Sequence, residues 1–273
     1  MVGAQPAVRW QDAFPTGNGS VGALVYGQIC SELVVLNHDR LRFPSPSPPV
    51  PDVTDALATV RSQLADGKYN EAAGTMAEAL NDHGYAHRVA AYHPACDLEL
   101  LEPSQAAFSE YRRTLDFSTG EVGVRWNEGD VTRRRRLFVS RADDVVVMQV
   151  STSSGHTVSG SVALIPHDRR RVSGMGSGKD RSVSSLPLEF HTECEGPWSR
   201  LVGTYTEGEP GNEFGAVARV EQVGGTRETD AAIAIRDAEE IVVLIKLFAE
   251  EDATRAIPRL TEELAGLPAE YEQ

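Results

Sequence analysis

The chain has 273 residues, of which 26 are Lys or Arg and 40 are Asp or Glu, so its formal net charge at pH 7 is −14. An acidic surface opposes both phosphate backbones and anionic lipid, and we expect neither nucleic acid nor a membrane as a partner. Hydrophobic residues make up 41% of the chain, which excludes disorder over most of its length.

The strand is the most frequent pattern along the chain. Short runs rich in β-branched residues, several of them alternating apolar with polar, are separated by Gly, Ser, Asn and Asp. This pattern predicts a mainly β fold, an antiparallel sandwich. The predicted strands are residues 23–26, 33–36, 98–101, 122–126, 134–139, 145–150, 157–165, 201–206, 214–223, 231–235 and 241–248.

Helical spacing is confined to two regions. Thr54 is placed to cap a first helix that ends near Gly67, and a second helix follows, so a short helical pair is inserted at about residues 54–80. Near the C-terminus, Ile257, Leu260 and Leu264 share one face of a helix that Gly266 breaks, and residues 267–273 indicate the start of another helix.

Two segments are predicted to be loops, and one glycine motif is predicted to be a turn. Residues 43–51 are proline-rich, and residues 169–185 are polar, basic and glycine-rich. Residues 17–22 match G-x-G-x-x-G, but a dinucleotide site needs a strand before the glycines and a helix after them. Pro15 precedes the motif and a strand-like run follows it, so we expect a tight turn leading into a strand.

Cys30, Cys96 and Cys194 are the three cysteines, and their spacing favours reduced, mostly buried thiols over a disulfide framework or a zinc site. The first ten residues lack the apolar core of a signal peptide, and no apolar run approaches the ~20 residues of a membrane span. We therefore expect a cytoplasmic location, no metal and no cofactor.

Two polar clusters are candidates for ligand binding. His38 and Asp39, with Asn37 and Glu32, form a polar cluster after a predicted strand. The cluster suits a sugar hydroxyl or a metal, although an ordinary strand-end turn is the favoured interpretation. Tyr85, His87, Tyr92 and His93 surround Pro94. They form either a carbohydrate-facing loop or a loop folded onto the sandwich.

Arg133 to Arg136 form a run of four arginines that leads into a predicted strand. Alternate residues of a strand point to opposite faces, so Arg133 and Arg135 should share one face and Arg134 and Arg136 the other. In an acidic protein we expect these guanidinium groups to meet carboxylates. The 40 acidic residues include no pair whose context marks it as catalytic, and no G-x-S-x-G, P-loop or H-E-x-x-H is present.

The stretch from residue 10 to residue 27 reads W-x-x-A-x-P-x-G-N-G-x-x-G-A-x-V-x-G, and it resembles the opening of glycoside hydrolase family 95, the α-L-fucosidases. Further segments are similar to that family in the same order, over most of the first 150 residues. They are Glu32 with Leu36-Asn37, Val60-Arg61, Gly67-Lys68-Tyr69 with Glu71-Ala72, Asp97-Leu98, Tyr111-Arg112-Arg113 with Leu115-Asp116, Phe138 with Ser140, and Asp143 with Val145.

The resemblance implies a supersandwich of the galactose-mutarotase-like type over residues 1–250. It also implies the start of a helical linker at residues 251–273 and, beyond it, an (α/α)6 barrel that carries the catalytic residues. The expected partners are therefore that barrel and carbohydrate. The chain itself would be a non-catalytic, inactive domain that shapes the active-site entrance of an inverting α-L-fucosidase or related exo-glycosidase.

No catalytic residue can be assigned to the chain from the resemblance. The candidates for substrate-proximal or interface positions are Asn18, Asn37, His38, Tyr92 and His93. The family usually reads L-N-E-x-T-L-W where this chain has L-N-H-D-R-L-R, with His38, Arg40 and Arg42 departing from the pattern. If that loop approaches the sugar, the specificity of the parent enzyme differs from that of the family.

Two other classes of protein remain as alternatives. A stand-alone carbohydrate-binding module would use aromatic residues at loop ends as a platform, with Tyr85, Tyr92 and Trp198 as candidates. A plain protein-interaction domain would have no sugar affinity at all.

Overall fold

The structure is a computed structural model in which residues 1–42, 49–85, 92–167, 188–206 and 212–269 are described. The chain divides into two compact units. One contains residues 1–41 and 93–273 and holds both β-sheets, and the other contains residues 42–92 and holds two helices. Most of the predicted 43–51 loop, the whole 169–185 loop and His87 lie outside the described residues.

Within the described residues, nine strands form the larger sheet, and all neighbouring strands are antiparallel. In spatial order they are β1 (Val2–Gly3), β6 (Phe108–Leu115), β7 (Val122–Glu128), β8 (Val131–Val139), β9 (Val146–Thr152), β16 (Glu240–Glu251), β13 (Glu213–Val223), β12 (Trp198–Tyr205) and β11 (Leu188–Glu195).

The smaller sheet has seven strands within the same described ranges, again all antiparallel. In spatial order they are β14 (Thr226–Thr229), β15 (Ile233–Ala238), β10 (Val158–Ile165), β5 (Cys96–Leu101), β4 (Ser31–His38), β3 (Val21–Val25) and β2 (Phe14–Gly17). The mainly β fold class is therefore confirmed, and all eleven predicted strands are present with boundaries shifted by a few residues.

Alternate residues of facing strands bury a single core between the two sheets. Val34 and Leu36 of β4, and Leu98 and Leu100 of β5, meet residues of the larger sheet in one cluster, whose largest member is Trp126. Period-2 burial of this kind is what the sequence alternation encodes, because successive strand side chains point to opposite faces.

Five strands were not predicted: β1, β2, β6, β11 and β14. The eight residues of β11 bury little surface, because this strand is the outermost member of the larger sheet, so its sequence carries a weak apolar signal. Pro15 lies in β2, which is the edge strand of the smaller sheet and can accommodate a residue without an N–H. The G-x-G-x-x-G glycines thus follow a short strand, but they close a β2–β3 hairpin and no helix follows, as predicted.

Helix α3 (Ala253–Ala265) covers the outer face of the larger sheet. Asp252 caps it by accepting a hydrogen bond from the Thr254 N–H at 2.8 Å. Leu260 and Leu264 are buried against the sheet, as their spacing predicted, and Gly266 is the C-cap. Residues 267–269 are not helical, so the expected further helix does not begin there, and residues 270–273 lie outside the described part.

The second unit contains a helical pair, α1 (Thr54–Ala65) and α2 (Tyr69–Asp82), whose members pack on each other. Thr54 was predicted to be the N-cap, but it is the first helical residue. The capping acceptor is instead Asp52, whose Oδ1 lies 3.0 Å from the Thr54 N–H. Gly67, at φ +74°, allows the tight turn between the helices.

The arginine run divides as predicted. Arg133 Nε lies 3.3 Å from Glu128 Oε2, Arg136 Nη2 lies 2.7 Å from Glu121 Oε2, and Arg134 is exposed.

The three cysteines are free, but only Cys96 is buried. Cys30 is exposed, so the prediction of mostly buried thiols is wrong. No helix among the described residues is both long and apolar enough to span a bilayer.

Arg135 joins the two sheets through a buried ion cluster. Its side chain is 2% exposed and points from β8 toward two carboxylates supplied by the other sheet and its connections. The Nη1 atom lies 2.9 Å from Glu32 Oε2, and the Nε atom donates to Glu102 Oε2 at 2.6 Å. The guanidinium also lies over the ring of Trp126, at 4.6 Å.

Burial raises the pKa of Glu32, and Arg135 opposes this shift. The two carboxylates outweigh the effect of burial on Arg135 and raise the pKa of its guanidinium. The arginine therefore stays charged in the core, and it is the group that makes the two buried carboxyl groups tolerable.

Replacing Arg135 by Met should lower the free energy of unfolding by about 3–5 kcal/mol, because two buried carboxylates lose their counter-charge. Urea unfolding followed by circular dichroism measures the change. Arg134→Met, on the same strand but exposed, is the matched control and should shift stability by less than about 0.5 kcal/mol. Equal losses for the two variants would contradict a structural role for the cluster.

Candidate functional site

One end of the sandwich gathers most of the candidate residues. We call it the Asn18 end. It is formed by the β2–β3 turn, the residues after β4, the segment before β5 and the β8–β9 turn. Strand pairing places the first three together, and hydrogen bonds from Asn18 join the β8–β9 turn to them. Three of these segments belong to the smaller sheet and the last to the larger sheet, so side chains here can join the two.

Asn18 makes such a junction. Its Oδ1 accepts hydrogen bonds from the N–H groups of Ser20 at 3.0 Å and Val21 at 2.9 Å, which shapes the β2–β3 turn. Its Nδ2 donates to the Ser140 carbonyl at 3.0 Å and to Asp144 Oδ1 at 2.6 Å. The side chain predicted to approach substrate is therefore committed to holding two turns of different sheets together.

His38 is buried at the end of β4, where its Nδ1 lies 2.9 Å from Asp39 Oδ1 and 3.2 Å from the Arg40 N–H. Burial lowers the pKa of the imidazole, and the Asp39 carboxylate opposes this shift. Asn37, one residue earlier, is half-buried opposite Gly22 in the same sheet. This turn is thus polar and largely enclosed by its own neighbours.

His93 is also buried at this end, just before β5. Its Nδ1 lies 2.8 Å from the Pro94 carbonyl, so this nitrogen carries the proton, and its Nε2 accepts from the Tyr205 hydroxyl at 2.6 Å. The ring packs edge-on against Phe214 with centroids 4.9 Å apart. The alternative of a loop folded onto the sandwich therefore describes His93 better than a sugar-facing loop.

The environment of His93 favours the neutral imidazole. Burial lowers its pKa, with a smaller contribution from His167 in the same direction, while the hydrogen bond to Pro94 opposes them. Burial raises the pKa of the Tyr205 hydroxyl, so this group remains a donor.

Asp97 and His167 form a second buried pair, which the sequence analysis did not identify as a site. His167 Nδ1 lies 2.8 Å from Asp97 Oδ1, and both side chains are at least nine-tenths buried. Among the described residues, the buried Nε2 of His167 has no hydrogen-bond partner. The only signal in the sequence was the Asp97-Leu98 segment of the resemblance, since the two residues are 70 positions apart.

Tyr26 lies near this pair. Burial, reinforced by the negative charge of Asp97, raises the pKa of its hydroxyl to about 12. Tyr26, Asp97 and His167 thus form a buried polar group at the smaller sheet.

Tyr92 belongs to the other unit, where the Arg42 guanidinium lies 4.6 Å above its ring and the ring is 60% exposed. Of the five predicted residues, the structure therefore brings Asn18, Asn37, His38 and His93 to the Asn18 end.

Trp198, expected in an aromatic platform, lies at the opposite end of its sheet and packs against the α3 cluster.

The chemistry available at the Asn18 end is hydrogen bonding. Its histidines favour the neutral form, and each has a nearby polar partner. In the described parts of the chain, no three His, Cys, Asp or Glu side chains converge as metal ligands. The arrangement suits the recognition of a polar partner or the positioning of a neighbouring surface.

The two-sheet sandwich, its inserted helical pair and the covering helix α3 define the class: an N-terminal β-sandwich domain of glycoside hydrolase-like proteins. The chain belongs to the family described as "Glycosyl hydrolase family 65, N-terminal domain", whose sequence model matches residues 1–253.

Its relatives include fucosidases. The chain is 31% identical to "Alpha-L-fucosidase 2" of Arabidopsis thaliana over 167 residues, which cover 58% of this chain and 19% of that protein. It is 22% identical to "Probable alpha-fucosidase A" of Aspergillus oryzae over 280 aligned residues, which cover 97% of this chain and 35% of that protein. The chain therefore spans only a part of the length of these relatives.

A solved structure titled "Putative kojibiose phosphorylase from human microbiome" superimposes with a TM-score of 0.53 and 9% identity. The match covers 97% of this chain and 36% of that chain. At this identity the likeness shows the fold alone.

Asn18→Asp should lower the free energy of unfolding by about 1–3 kcal/mol. The variant keeps the acceptor for the turn, but it loses both amide donations and places a carboxylate beside Asp144. Urea unfolding measures the loss. Adding Asp144→Asn should restore part of it by removing the charge repulsion, and no recovery in the double variant would contradict the assigned contact.

His93 should make the chain less stable as the pH falls below about 6.5, the ordinary pKa of histidine. The folded chain binds this proton less readily than the unfolded chain, so protonation favours unfolding, and the stability is fully present above that pH. Urea unfolding at about pH 7.5 and about pH 5.5 measures the dependence. His93→Gln should reduce it.

Tyr205→Phe is the control for this experiment, because it removes the hydrogen-bond donor but keeps the titrating imidazole. It should lower stability by about 1 kcal/mol and retain most of the pH dependence. An unchanged pH dependence in His93→Gln would show that other groups cause it.

Proposed function

We propose that the chain is the non-catalytic N-terminal domain of a family 95-like glycoside hydrolase, an inverting α-L-fucosidase or a related exo-glycosidase. The observation that carries this proposal is the match to a fucosidase over 97% of this chain but only 35% of the relative. The ordered motifs of the chain resemble the same family. The remaining two-thirds of such a protein would hold the catalytic barrel.

In this proposal the domain packs on that barrel and shapes the entrance of the active site. The Asn18 end supports the role, because it presents turns from both sheets that are held in place by internal hydrogen bonds. Preformed loops on a rigid sandwich can line a neighbouring site with little loss of conformational entropy. His38, Arg40 and Arg42, which depart from the family pattern, would then adjust the choice of sugar.

An immunoblot of the source cells with an antibody against this chain is the first test. A band well above 29.6 kDa is expected, and the protein in that band should hydrolyse an aryl α-L-fucoside or a related aryl glycoside, whereas the 273-residue chain alone should not. A band at 29.6 kDa, or hydrolysis by the isolated chain, would contradict the proposal.

Variants of the longer protein then test the role of the Asn18 end. His38→Ala should raise KM or change the preference among aryl glycosides by about tenfold, the effect of losing one polar contact of about 1.4 kcal/mol. His156→Ala, an exposed residue in the β9–β10 turn at the opposite end, is the matched control and should leave both unchanged. Equal kinetics for the two variants would contradict the placement at the entrance.

A further inference from the structure

A cavity of about 720 Å³ opens between three turns near Asn18. We call it the turn pocket. Its wall is supplied by the end of β2, the β6–β7 turn and the β8–β9 turn, and the residues that matter here are Thr16, Asp116, Phe117, Phe138, Ser140 and Arg141. The volume lies within the range of pockets that bind small molecules. Nothing in the role of the Asn18 end as a contact surface requires this cavity.

The turn pocket is preformed. Thr16 Oγ1 donates to the Gly120 carbonyl at 2.6 Å, which joins the β2 wall to the β6–β7 turn. Asn18 Nδ2 donates to the Ser140 carbonyl at 3.0 Å, which joins the β2–β3 turn to the β8–β9 turn. A ligand entering such a cavity does not have to order the backbone around it, and this favours binding.

Phe117 is presented to solvent at the rim, with 74% of its surface exposed. Its turn is closed by backbone bonds, from the Asp116 N–H to Glu121 at 2.9 Å and from the Gly120 N–H to Asp116 at 2.8 Å. The backbone therefore holds an apolar ring in water. The electron-rich face of such a ring attracts C–H groups that carry partial positive charge, and the C–H face of a sugar ring offers several of them.

Two charged groups of opposite sign accompany the ring. Asp116 Oδ1 accepts hydrogen bonds from the Ser118 hydroxyl at 2.6 Å and the Ser118 N–H at 2.9 Å, and these bonds lower the pKa of the carboxyl group. Arg141 is exposed and forms no ion pair with any described residue. A carboxylate accepts hydrogen bonds and a guanidinium donates them. Together they therefore match hydroxyl groups, which both donate and accept hydrogen bonds.

The charges also select against anions. One carboxylate and one guanidinium leave the turn pocket without net charge, whereas a phosphate or a uronate would need an excess of cations. The segments that build the wall, around Gly17, Asp116 and Ser140, are also among those that carry the resemblance. They come from three separate parts of the chain and meet at this cavity.

We propose that the turn pocket binds a neutral oligosaccharide, with Phe117 stacking on the C–H face of one sugar ring and Asp116 and Arg141 bonding to its hydroxyl groups. The inference rests on the proposed function only in taking a glycan as the substrate of the parent protein. It adds a sugar-binding site that the turns of the sandwich itself form.

The experiment uses the 273-residue chain labelled with ¹⁵N and titrated with 2′-fucosyllactose, with cellotetraose as a second neutral probe and tri-galacturonic acid as an acidic one. Amide shifts on adding a neutral probe should concentrate in residues 116–120 and 140–142. Phe117→Ala and Arg141→Ala should each weaken binding by about tenfold, the factor for one good stacking or polar contact.

The controls are matched by residue type. Phe108→Ala removes another exposed Phe, at the opposite end of β6, and Arg134→Met removes another exposed Arg, so both should bind as the parent chain does. Absence of shifts with both neutral probes, shifts confined to other residues, preference for the acidic probe, or equal effects of Phe117→Ala and Phe108→Ala would each overturn the inference. Fucosidase activity of the longer protein without sugar binding here would refute this site alone, and sugar binding without hydrolysis would refute only the proposed function.

Discussion

The sandwich depends on one buried cation. Arg135 lies between two sheets that share a large apolar core, and apolar contacts by themselves tolerate sliding and exchange. Its guanidinium nitrogens meet the carboxylates of Glu32 and Glu102 and the backbone carbonyls of Gln28 and Ile29. A buried charge that lost any of these partners would be costly, so the cluster accepts essentially one alignment of β8 against the smaller sheet.

The cluster extends into the β3–β4 connection. The Gly27 N–H donates to Glu32 Oε1 at 2.8 Å, and the Tyr111 hydroxyl donates to the Gly27 carbonyl at 2.5 Å. Gly27 has φ +73°, and a Cβ atom there would collide with the side chains of Tyr111 and Arg113. Only glycine satisfies both conditions, so a backbone constraint and an electrostatic one meet at this end of the sandwich.

The two ends of the sandwich are therefore different in kind. The end near Arg135 is closed by buried charges and a glycine without space around it, and it stabilises the relation of the two sheets. The Asn18 end is held by hydrogen bonds between turns, and it leaves a cavity, an exposed aromatic ring and two unlike charges facing solvent. Binding residues commonly lie on turns that a rigid sheet holds in place, because turns tolerate changes of sequence that a packed core does not.

Most of the strands, the helical pair, helix α3 and the sandwich follow from the sequence alone, because alternation and helical spacing are local and survive in any arrangement of the chain. Strand alternation also predicted that Arg134 and Arg135 point to opposite faces of β8. The sequence did not identify Asp97 with His167, or Asn18 with Asp144, because these pairs join residues 70 and 126 positions apart. The order of the strands in the two sheets decides which distant residues come into contact. That order results from the packing of two whole sheets, and no local sequence pattern contains it.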